Sequence, residues 1–254
     1  MADYIEGKRP IIEALRTEVP LKYVLMADNV QRDGMVADIL RKAKAHDVPV
    51  KKISRKKLDE MSERGSHQGF IAETKPFEYV NVTTLLNNAA ICAAQHDGRA
   101  LIVVCDHLTD AGNLGAIARS AESVGAAGIV IPNKRSARVT AATYKSSAGA
   151  ISHIAVSQVA NISSCLERLK KEGFWVAAAT EHAQDYIWDA NLKGKIALVL
   201  GNESEGVSNL VLESCDFGVK LPQVGEISSL NVAQASTACM YEWLRQNRTA
   251  AEGL

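Results

Sequence analysis

The sequence predicts an α/β protein in which a small N-terminal α/β unit precedes a larger domain built on a mainly parallel sheet. Apolar runs such as 100–105 and 196–200 have the length and composition of strands that are buried on both faces. These runs alternate with helical segments, which is typical of parallel sheets covered by helices. A chain of 254 residues with 47% hydrophobic and 23% charged residues has the length and composition of one large globular domain or two small ones.

Short strands and helices alternate in the first 76 residues. Helices are expected from Pro10, over 35–45 and around 58–61, and strands over 23–26, 50–53 and 69–73. Lys75 and Pro76 interrupt this pattern, and the polar, alanine-rich segment 81–95 predicts a connecting helix outside any core. The chain is therefore expected to have three parts, namely an N-terminal domain at 1–76, a linker at 77–98 and a second domain at 99–254.

The second domain repeats a strand and helix rhythm to its end. Strands are expected over 100–105, 129–131, 174–178, 196–200 and 217–220, and helices over 114–124, 162–171 and 231–245. Ligands of open parallel sheets bind beyond the carboxyl ends of the strands. The polar loops that follow these strands are therefore the candidate functional residues.

The first such loop, 106–120, leads from a buried strand into a helix. Asp110 and Asn113 are suited to turn the chain and cap that helix. Arg119 shares a helix side with Gly115, and we expect the glycine to leave the guanidinium room to meet a phosphate or a carboxylate. A plain surface arginine is the alternative interpretation.

Two further loops carry unusual polar residues. In the loop 200–206, Gly201 is expected to let a ligand approach the backbone, and Asn202 and Glu203 offer specific hydrogen bonds. The alternative is an ordinary surface turn. The loop 221–231 leads into the last helix, and the alternative interpretation of Ser229 or Asn231 is a helix cap without a further role.

Positive charge is concentrated in one segment of an otherwise neutral chain. Lysine plus arginine and aspartate plus glutamate number 29 each, so the whole composition indicates no nucleic-acid partner. The segment 41–57 nevertheless holds eight basic residues and one acid. It predicts either a surface for a phosphate backbone or a solvated face.

Several protein classes lack their signatures in this sequence. The glycine fingerprint of Rossmann dehydrogenases, the phosphate loop of nucleotide triphosphatases and the nucleophile elbow of α/β-hydrolases are missing. The five cysteines have no metal-binding spacing, which argues against structural zinc and a disulfide framework and leaves a catalytic thiol open. No apolar run approaches the roughly 20 residues of a membrane span, and no secretory signal is recognised, so the cytoplasm is the expected location.

Taken together, the three loops resemble in order and spacing the motifs of the SpoU (TrmH-like) family of RNA ribose 2′-O-methyltransferases, within the SPOUT superfamily. The N-terminal unit, with Glu6-Gly7 and His67-Gln68-Gly69, is similar to the family's small ribosomal-protein-like RNA-binding domain. The architecture is most similar to the 23S ribosomal RNA guanosine 2′-O-methyltransferases. One departure is Ala111, which stands where the family usually has proline and should loosen the loop slightly.

The resemblance implies a deep trefoil knot, a homodimer, S-adenosylmethionine as cofactor, no metal and 23S ribosomal RNA as partner. It implies cofactor contacts at Gly201, Leu221 and Leu230, largely through backbone groups. It further implies that four side chains shape the pocket, namely Asn202, Glu203, Ser229 and Asn231. Arg119 and Asn113 would face the ribose.

The implied reaction is attack of a guanosine 2′-hydroxyl on the sulfonium methyl carbon. The family's mechanism makes the arginine the general base, yet a guanidinium stays protonated in proteins. Arg119 would instead grip the adjacent phosphate, with deprotonation assisted by Glu203 or by water. Substrate choice would depend on the segment 41–57 with His67 and Gln68, and transfer RNA methylation or an inactive RNA-binding module are the alternatives.

Overall fold

The computed structural model describes residues 4–62, 65–226 and 229–248, and its N-terminal part is a four-stranded sheet with helices. The strands are β1 Tyr4–Glu6, β2 Leu21–Ala27, β3 Val50–Ile53 and β4 Phe70–Thr74, in the order β1-β4-β2-β3. The helices are α1 Lys8–Arg16, α2 Gly34–Ala45 and α3 Arg55–Met61. Within the described ranges β3 pairs only with β2, so it forms an edge of this sheet.

The second part is a six-stranded sheet in which each strand pair is parallel. Its strands are β5 Ala100–Cys105, β6 Gly128–Pro132, β7 Val156–Val159, β8 Trp175–Ala179, β9 Lys195–Leu200 and β10 Phe217–Val219, in the order β10-β8-β9-β5-β6-β7. The helices are α4 Val82–Gln95, α5 Ala111–Ser123, α6 Ala141–Ser147, α7 Ile162–Lys171, α8 Asn209–Glu213 and α9 Val232–Asn247. The predicted α/β class and parallel sheet are confirmed, whereas the knot stays a prediction.

Most predicted elements are present within a few residues of their expected ends, but among the described strands and α-helices four were not predicted. Strand β1 and helix α8 are too short to show a hydrophobic period. Strand β7 carries the polar residues Ser157 and Gln158, which hide its buried position. Helix α6 is rich in serine and threonine, which are poor helix formers, and its packing against α5 supplies the missing stabilisation.

Helix α4 belongs to the core of the second sheet, so the prediction that this segment lies outside any core is wrong. Leu85, Ala89 and Ala93 form one buried stripe on the helix and pack in the same cluster as Ile102 and Val104 of β5. The small alanines weakened the apolar signal in the sequence, although they let the helix approach the sheet closely. The division into three parts stays a prediction.

Replacing Leu85 by alanine should lower the free energy of unfolding by about 2–5 kcal/mol, because its side chain is fully buried and leaves a cavity. Chemical denaturation measures this loss. The exposed Asn87 on the same helix provides a matched control, and its alanine variant should change the stability by less than about 0.5 kcal/mol. Equal effects of the two substitutions would contradict the packing of α4 on the sheet.

None of the helices in the described ranges combines the length and apolarity that crossing a membrane requires.

Candidate active site

A cleft of about 700 Å³ lies beyond the carboxyl ends of β8, β9 and β10 and beside the start of α9. The lining residues come from four segments, at 179–186, 201–207, 219–223 and 229–239. Apolar side chains such as Val207, Val219 and Val232 share the lining with polar and backbone groups of the loops. This size and position are those of small-molecule sites in parallel α/β sheets.

The loop after β9 is closed at its base, here called the neck, where residues 201–202 contact residues 206–207. A Cβ atom on Gly201 would lie 2.1 Å from the carbonyl carbon of Gly206 and 2.2 Å from the nitrogen of Val207. The neck is closed by two backbone hydrogen bonds between Asn202 and Gly206, of 2.9 and 3.0 Å. Gly201 lines the cleft, but the protein's own backbone occupies the space of its missing side chain, where we expected a ligand.

The side chain of Asn202 ties the loop after β9 to the loop after β5. Its Nδ2 donates to the carbonyl oxygen of His107 at 2.7 Å. Its Oδ1 accepts from the backbone nitrogen and the hydroxyl of Ser204, at 2.9 and 2.7 Å. Asn202 therefore shapes the wall of the cleft through bonds within the protein.

Three predicted site residues form one chain of hydrogen bonds at the cleft. Asn113 Nδ2 donates to Glu203 Oε1 at 2.8 Å, and Asn231 Nδ2 donates to Asn113 Oδ1 at 3.1 Å. Asn231 Oδ1 in turn accepts from the backbone nitrogen of Ala233 at 2.9 Å and so caps α9. The three loops, far apart in sequence, thus meet through Glu203, Asn113 and Asn231.

The remaining cofactor residues predicted from the sequence also line the cleft. Leu221 follows β10, and Ser229 and Leu230 precede α9. The side chain of Leu230 is about half exposed, which leaves it free to cover a ligand. Residues 227 and 228 of the same loop lie outside the described residues.

Arg119 lies apart from these residues within one chain. It is exposed on α5, six residues beyond Asn113 and therefore roughly 9 Å further along the helix axis, and it does not line the cleft. Among the described residues its guanidinium has no ion-pair partner.

The space beside Gly115 is filled by another helix. A Cβ atom on Gly115 would lie 1.9 Å from Ser146 Oγ and 2.5 Å from the carbonyl oxygen of Thr143, both on α6. The expectation that this glycine leaves room for the guanidinium of Arg119 is therefore wrong. Gly115 instead permits the close crossing of α5 and α6.

Sequence reasoning missed Asp106 as a positioning residue of the site. Its carboxylate is buried, with Oδ1 2.6 Å from His107 Nδ1 and Oδ2 accepting from the backbone nitrogen of Ser208 at 2.8 Å. It joins the loop after β5 to the segment that precedes α8. The sequence feature that could have identified it is an acidic residue directly after a buried strand. An unpaired charge there would cost free energy, so the carboxylate needs hydrogen-bond partners.

Sequence reasoning also missed the wall of the cleft that residues 179–186, at the end of β8 and after it, form. Thr180, Tyr186 and their neighbours line the cleft, and Lys220 Nζ lies 5.1 Å from the centre of the Tyr186 ring. No motif in the sequence marks this segment, so only the strand order brings it to the site.

Burial keeps the thiols protonated. It raises the pKa of Cys105, Cys215 and Cys239 to about 12 and that of Cys165 to about 11, and it also raises the pKa of Cys92. Cys239 lines the cleft, but a thiol with this pKa carries no thiolate at neutral pH. A catalytic thiol is therefore not supported, and within the described ranges no group of three or more potential ligands is arranged to hold a metal.

Comparison with known proteins decides the family. Residues 100–241, more than half of the chain, match the model described as the SpoU rRNA Methylase family. The chain belongs to this family. Residues 4–80 match a second model, described as RNA 2′-O ribose methyltransferase substrate binding. A protein of Bacillus subtilis (strain 168) named as a TrmH family tRNA/rRNA methyltransferase, YacO, is 36% identical over 250 residues, which cover 98% of each chain.

Solved structures agree with this membership of the SpoU family. The SpoU methyltransferase AviRb from Streptomyces viridochromogenes, in complex with the cofactor AdoMet, is 25% identical with a TM-score of 0.69, over 96% of this chain and 90% of that chain. The crystal structure of an RNA 2′-O ribose methyltransferase is 27% identical with a TM-score of 0.64, over 96% of this chain and 88% of that chain. The resemblance stated from the motifs is confirmed.

In this SpoU family member, the basic segment 41–57 divides into paired and unpaired charges. Arg41 and Lys42 on α2 lie 2.5 and 3.7 Å from Asp38, and Lys51 Nζ lies 4.8 Å from the centre of the Tyr23 ring. The exposed side chains without a described ion-pair partner include Lys52, Arg55, Lys56 and Lys57, on the edge strand β3 and the first turn of α3. Cations are disfavoured at a helix start, which favours an external anion as their partner.

His67 does not belong to the exposed surface, so its expected role in contacting RNA is wrong. Its ring is almost fully buried, with Nε2 2.8 Å from Asp59 Oδ1 and Nδ1 accepting from the nitrogen of Gly69 at 3.0 Å. The ring nitrogens are both satisfied within the protein. Gln68 is exposed, and its Oε1 accepts from the backbone nitrogen of Lys8 at 3.4 Å.

Proposed function

We propose that this SpoU family member methylates the 2′-hydroxyl of a guanosine ribose in 23S ribosomal RNA with S-adenosylmethionine, in the cytoplasm and as a homodimer. The observation that carries the proposal is the hydrogen-bonded chain of Glu203, Asn113 and Asn231, which unites the three family motifs at the cleft. The general part of the proposal, that the protein methylates RNA, is supported by its membership of the SpoU family. The guanosine and the 23S RNA rest on the resemblance of the whole architecture.

The cleft fits S-adenosylmethionine in size and chemistry. Backbone groups at Gly201, Leu221 and Leu230 are available to the adenosine and methionine parts, and the apolar lining suits the base. The carboxylates of Glu203 and Glu205 suit a ligand that carries a sulfonium and an ammonium charge. When bound, this cofactor supplies an electrophilic methyl group on sulfur. AviRb, whose fold is shared, holds AdoMet in its solved structure.

The residues of the chain then have to position the ribose and remove one proton. In this proposal the ribose meets the cleft at Glu203 and Asn113, whose side chains are hydrogen-bonded to each other, and positioning of the attacking oxygen supplies much of the acceleration. Glu203 would accept the 2′-hydroxyl proton, directly or through water, while the oxygen bonds to the methyl carbon, the carbon–sulfur bond breaks and the sulfur leaves as an uncharged thioether. Arg119 holds the neighbouring phosphate and stabilises the negative charge that develops on the oxygen.

The homodimer supplies a route for Arg119 to reach a cleft. Within one chain its guanidinium is exposed and lies outside the cleft lining. If two copies packed about a two-fold axis through the exposed face of α5, Arg119 of each chain would lie close to the other chain. Light scattering of the purified protein measures the mass, and a monomer at all concentrations tested would remove this part of the proposal.

Methyl transfer to unmodified 23S ribosomal RNA, with unmodified bulk transfer RNA in parallel, tests the function. Nucleoside mass spectrometry should show 2′-O-methylguanosine in the ribosomal RNA alone. Methylation of transfer RNA alone would move the substrate to the second class that the name of the Bacillus subtilis relative includes. Failure to bind S-adenosylmethionine would overturn the enzyme proposal and leave an RNA-binding module.

Neutralising Lys52, Lys56 and Lys57 to glutamine should weaken RNA binding and reduce its salt dependence, while cofactor affinity stays unchanged. Each lost phosphate contact should lower the slope of log K against log salt by about 0.7–0.9. Filter binding at several salt concentrations measures the slope. The control replaces Arg41 and Lys42, whose charges are already paired with Asp38. Equal slopes for the two variants would identify the segment as a solvated face.

A further inference from the structure

A second basic segment lies in the region 100–241 that matches the SpoU methylase model, here called the methyltransferase domain, in the loop that follows β6. Residues 133–138, here named the basic loop, contain Lys134, Arg135 and Arg138 and no acid. The chain has no aspartate or glutamate between Glu122 and Glu167, although acids make up 29 of its 254 residues. The positive charge of the basic loop is therefore not neutralised by its neighbours in sequence.

The three cationic side chains of the basic loop are exposed and unpaired with acids. No salt bridge to Lys134, Arg135 or Arg138 occurs among the described residues. Arg138 Nη2 donates to the backbone oxygen of Asn133, at 3.3 Å. Three like charges within five positions repel each other, so their closeness favours an external anion.

The basic loop lies directly against the motif loop after β5. The nitrogen of Ala137 donates to the carbonyl oxygen of Leu108 at 2.6 Å, and Ser136 Oγ donates to the same oxygen at 3.2 Å. In the sheet, β6 is the neighbour of β5, and β5 is the neighbour of β9. The cleft, the loop with Asn113 and the basic loop therefore follow one another along the carboxyl edge of the sheet.

Hydrogen bonds also fix the shape of the basic loop. The nitrogen of Val139 donates to the hydroxyl of Tyr79 at 2.9 Å, and Thr143 Oγ1 donates to the oxygen of Arg138 at 3.3 Å. Arg135 has a left-handed backbone with φ of 51°, which costs a non-glycine residue about 1–2 kcal/mol. A loop held in one shape loses less conformational entropy when it binds a ligand.

We propose that the basic loop holds the RNA backbone beside the target ribose, with Lys134 and Arg135 on its phosphates. This inference rests on the proposed function and adds a phosphate site within the methyltransferase domain, separate from the N-terminal segment 41–57. A ribose that reaches the cleft past Asn113 brings its flanking phosphates to this edge of the sheet. Lysine and arginine bind such phosphates without regard to sequence.

The test combines Lys134→Gln with Arg135→Asn, since asparagine tolerates the left-handed backbone. The matched control combines Lys171→Gln with Lys193→Gln, which removes two exposed charges near the amino ends of β8 and β9. The probes are unmodified 23S ribosomal RNA and transfer RNA transcripts in filter binding. Thermal melting of each variant shows that the fold is retained, and calorimetry gives the affinity for S-adenosylmethionine.

The basic-loop variant should reduce the salt slope of RNA binding by about 1.4–1.8, which corresponds to two phosphates. Its affinity for S-adenosylmethionine should equal that of the wild type, and the control should keep the wild-type slope. A wild-type slope in the basic-loop variant, or an equal loss in the control, would overturn the proposal. A reduced slope without methyl transfer by the wild type would support the phosphate site and count against the proposed reaction alone.

Discussion

Replacing Arg119 by alanine is expected to reduce kcat about 100- to 1000-fold at saturating RNA, because one charged group that stabilises the developing oxyanion is removed. The affinity for S-adenosylmethionine should not change, since Arg119 lies outside the cleft lining. Single-turnover methyl transfer measures the rate, and calorimetry measures cofactor binding. Glu122→Ala is the matched control, because Glu122 is exposed on the same helix one turn away. Near-normal turnover of the Arg119 variant would remove this residue from the mechanism.

Arg119→Lys separates the two roles considered for this residue. Lysine keeps the positive charge but loses the planar fork that binds phosphate at two points, so activity should recover only in part. If Arg119 only grips phosphate, the pH dependence of kcat should match that of the wild type. A pH profile moved to lower pH in the lysine variant would instead indicate that the residue removes the proton, because an ammonium loses its proton more readily than a guanidinium.

Mixed dimers would show which chain's cleft uses Arg119. Arg119→Ala chains and Gly201→Ala chains are co-expressed with different tags and assayed at a limiting concentration of S-adenosylmethionine, at which the Gly201→Ala cleft is largely empty, so that each lacks a different part of the site. If Arg119 acts on the partner subunit, random mixing should restore about one quarter of the wild-type rate, since half of the dimers are mixed and each has one complete site. If Arg119 acts within its own chain, the mixture should be as inactive as the separate variants.

Replacing Gly201 by alanine is expected to weaken S-adenosylmethionine binding about 10- to 100-fold. The new Cβ would lie 2.1 Å from the carbonyl carbon of Gly206, so the neck of the loop must open. Overpacking of this kind costs about 1–3 kcal/mol, and here part of the cost falls on the wall of the cleft. Calorimetry with S-adenosylmethionine measures the affinity, and thermal melting shows whether the fold is retained.

The control for this prediction is the same substitution at Gly34. A Cβ atom there meets nothing within 4 Å, and its backbone is not left-handed. Gly34→Ala should therefore keep the affinity for S-adenosylmethionine. If Gly201→Ala melts like the wild type and binds the cofactor equally well, the neck of the loop does not shape a cofactor site.

The elements of the second sheet were largely predictable, because strands buried on both faces read as continuous apolar runs. Strands β5 and β9 are found within one residue of their expected bounds. Helix α4 was placed outside the core because alanines give little apolar contrast, even though Ala89 and Ala93 are buried. The hydrophobic pattern of a segment thus predicts whether it forms a helix or a strand. It is a poorer guide to where that helix or strand packs.

The roles of glycine and histidine needed the tertiary structure. Gly115 was interpreted as room for the guanidinium of Arg119 and Gly201 as room for a ligand, and in both cases another part of the chain fills the space. His67 was interpreted as an RNA contact, but its ring is buried against Asp59. A glycine or a polar side chain in the sequence indicates a close contact at that position. Whether the contacting group is a ligand or another segment of the same chain depends on the tertiary structure.

The sequence by itself determined the fold class, the three loops and the family, because the apolar runs of buried strands and the spacing of motifs are visible along the chain without knowledge of tertiary contacts. Only the tertiary structure brought Asn113 within hydrogen-bond distance of Glu203, 90 residues away, and of Asn231, 118 residues away. It also placed Arg119 outside the cleft lining and the basic loop against the loop after β5. The physical reason is that strand order and helix packing depend on the sum of many long-range contacts, which no single segment specifies.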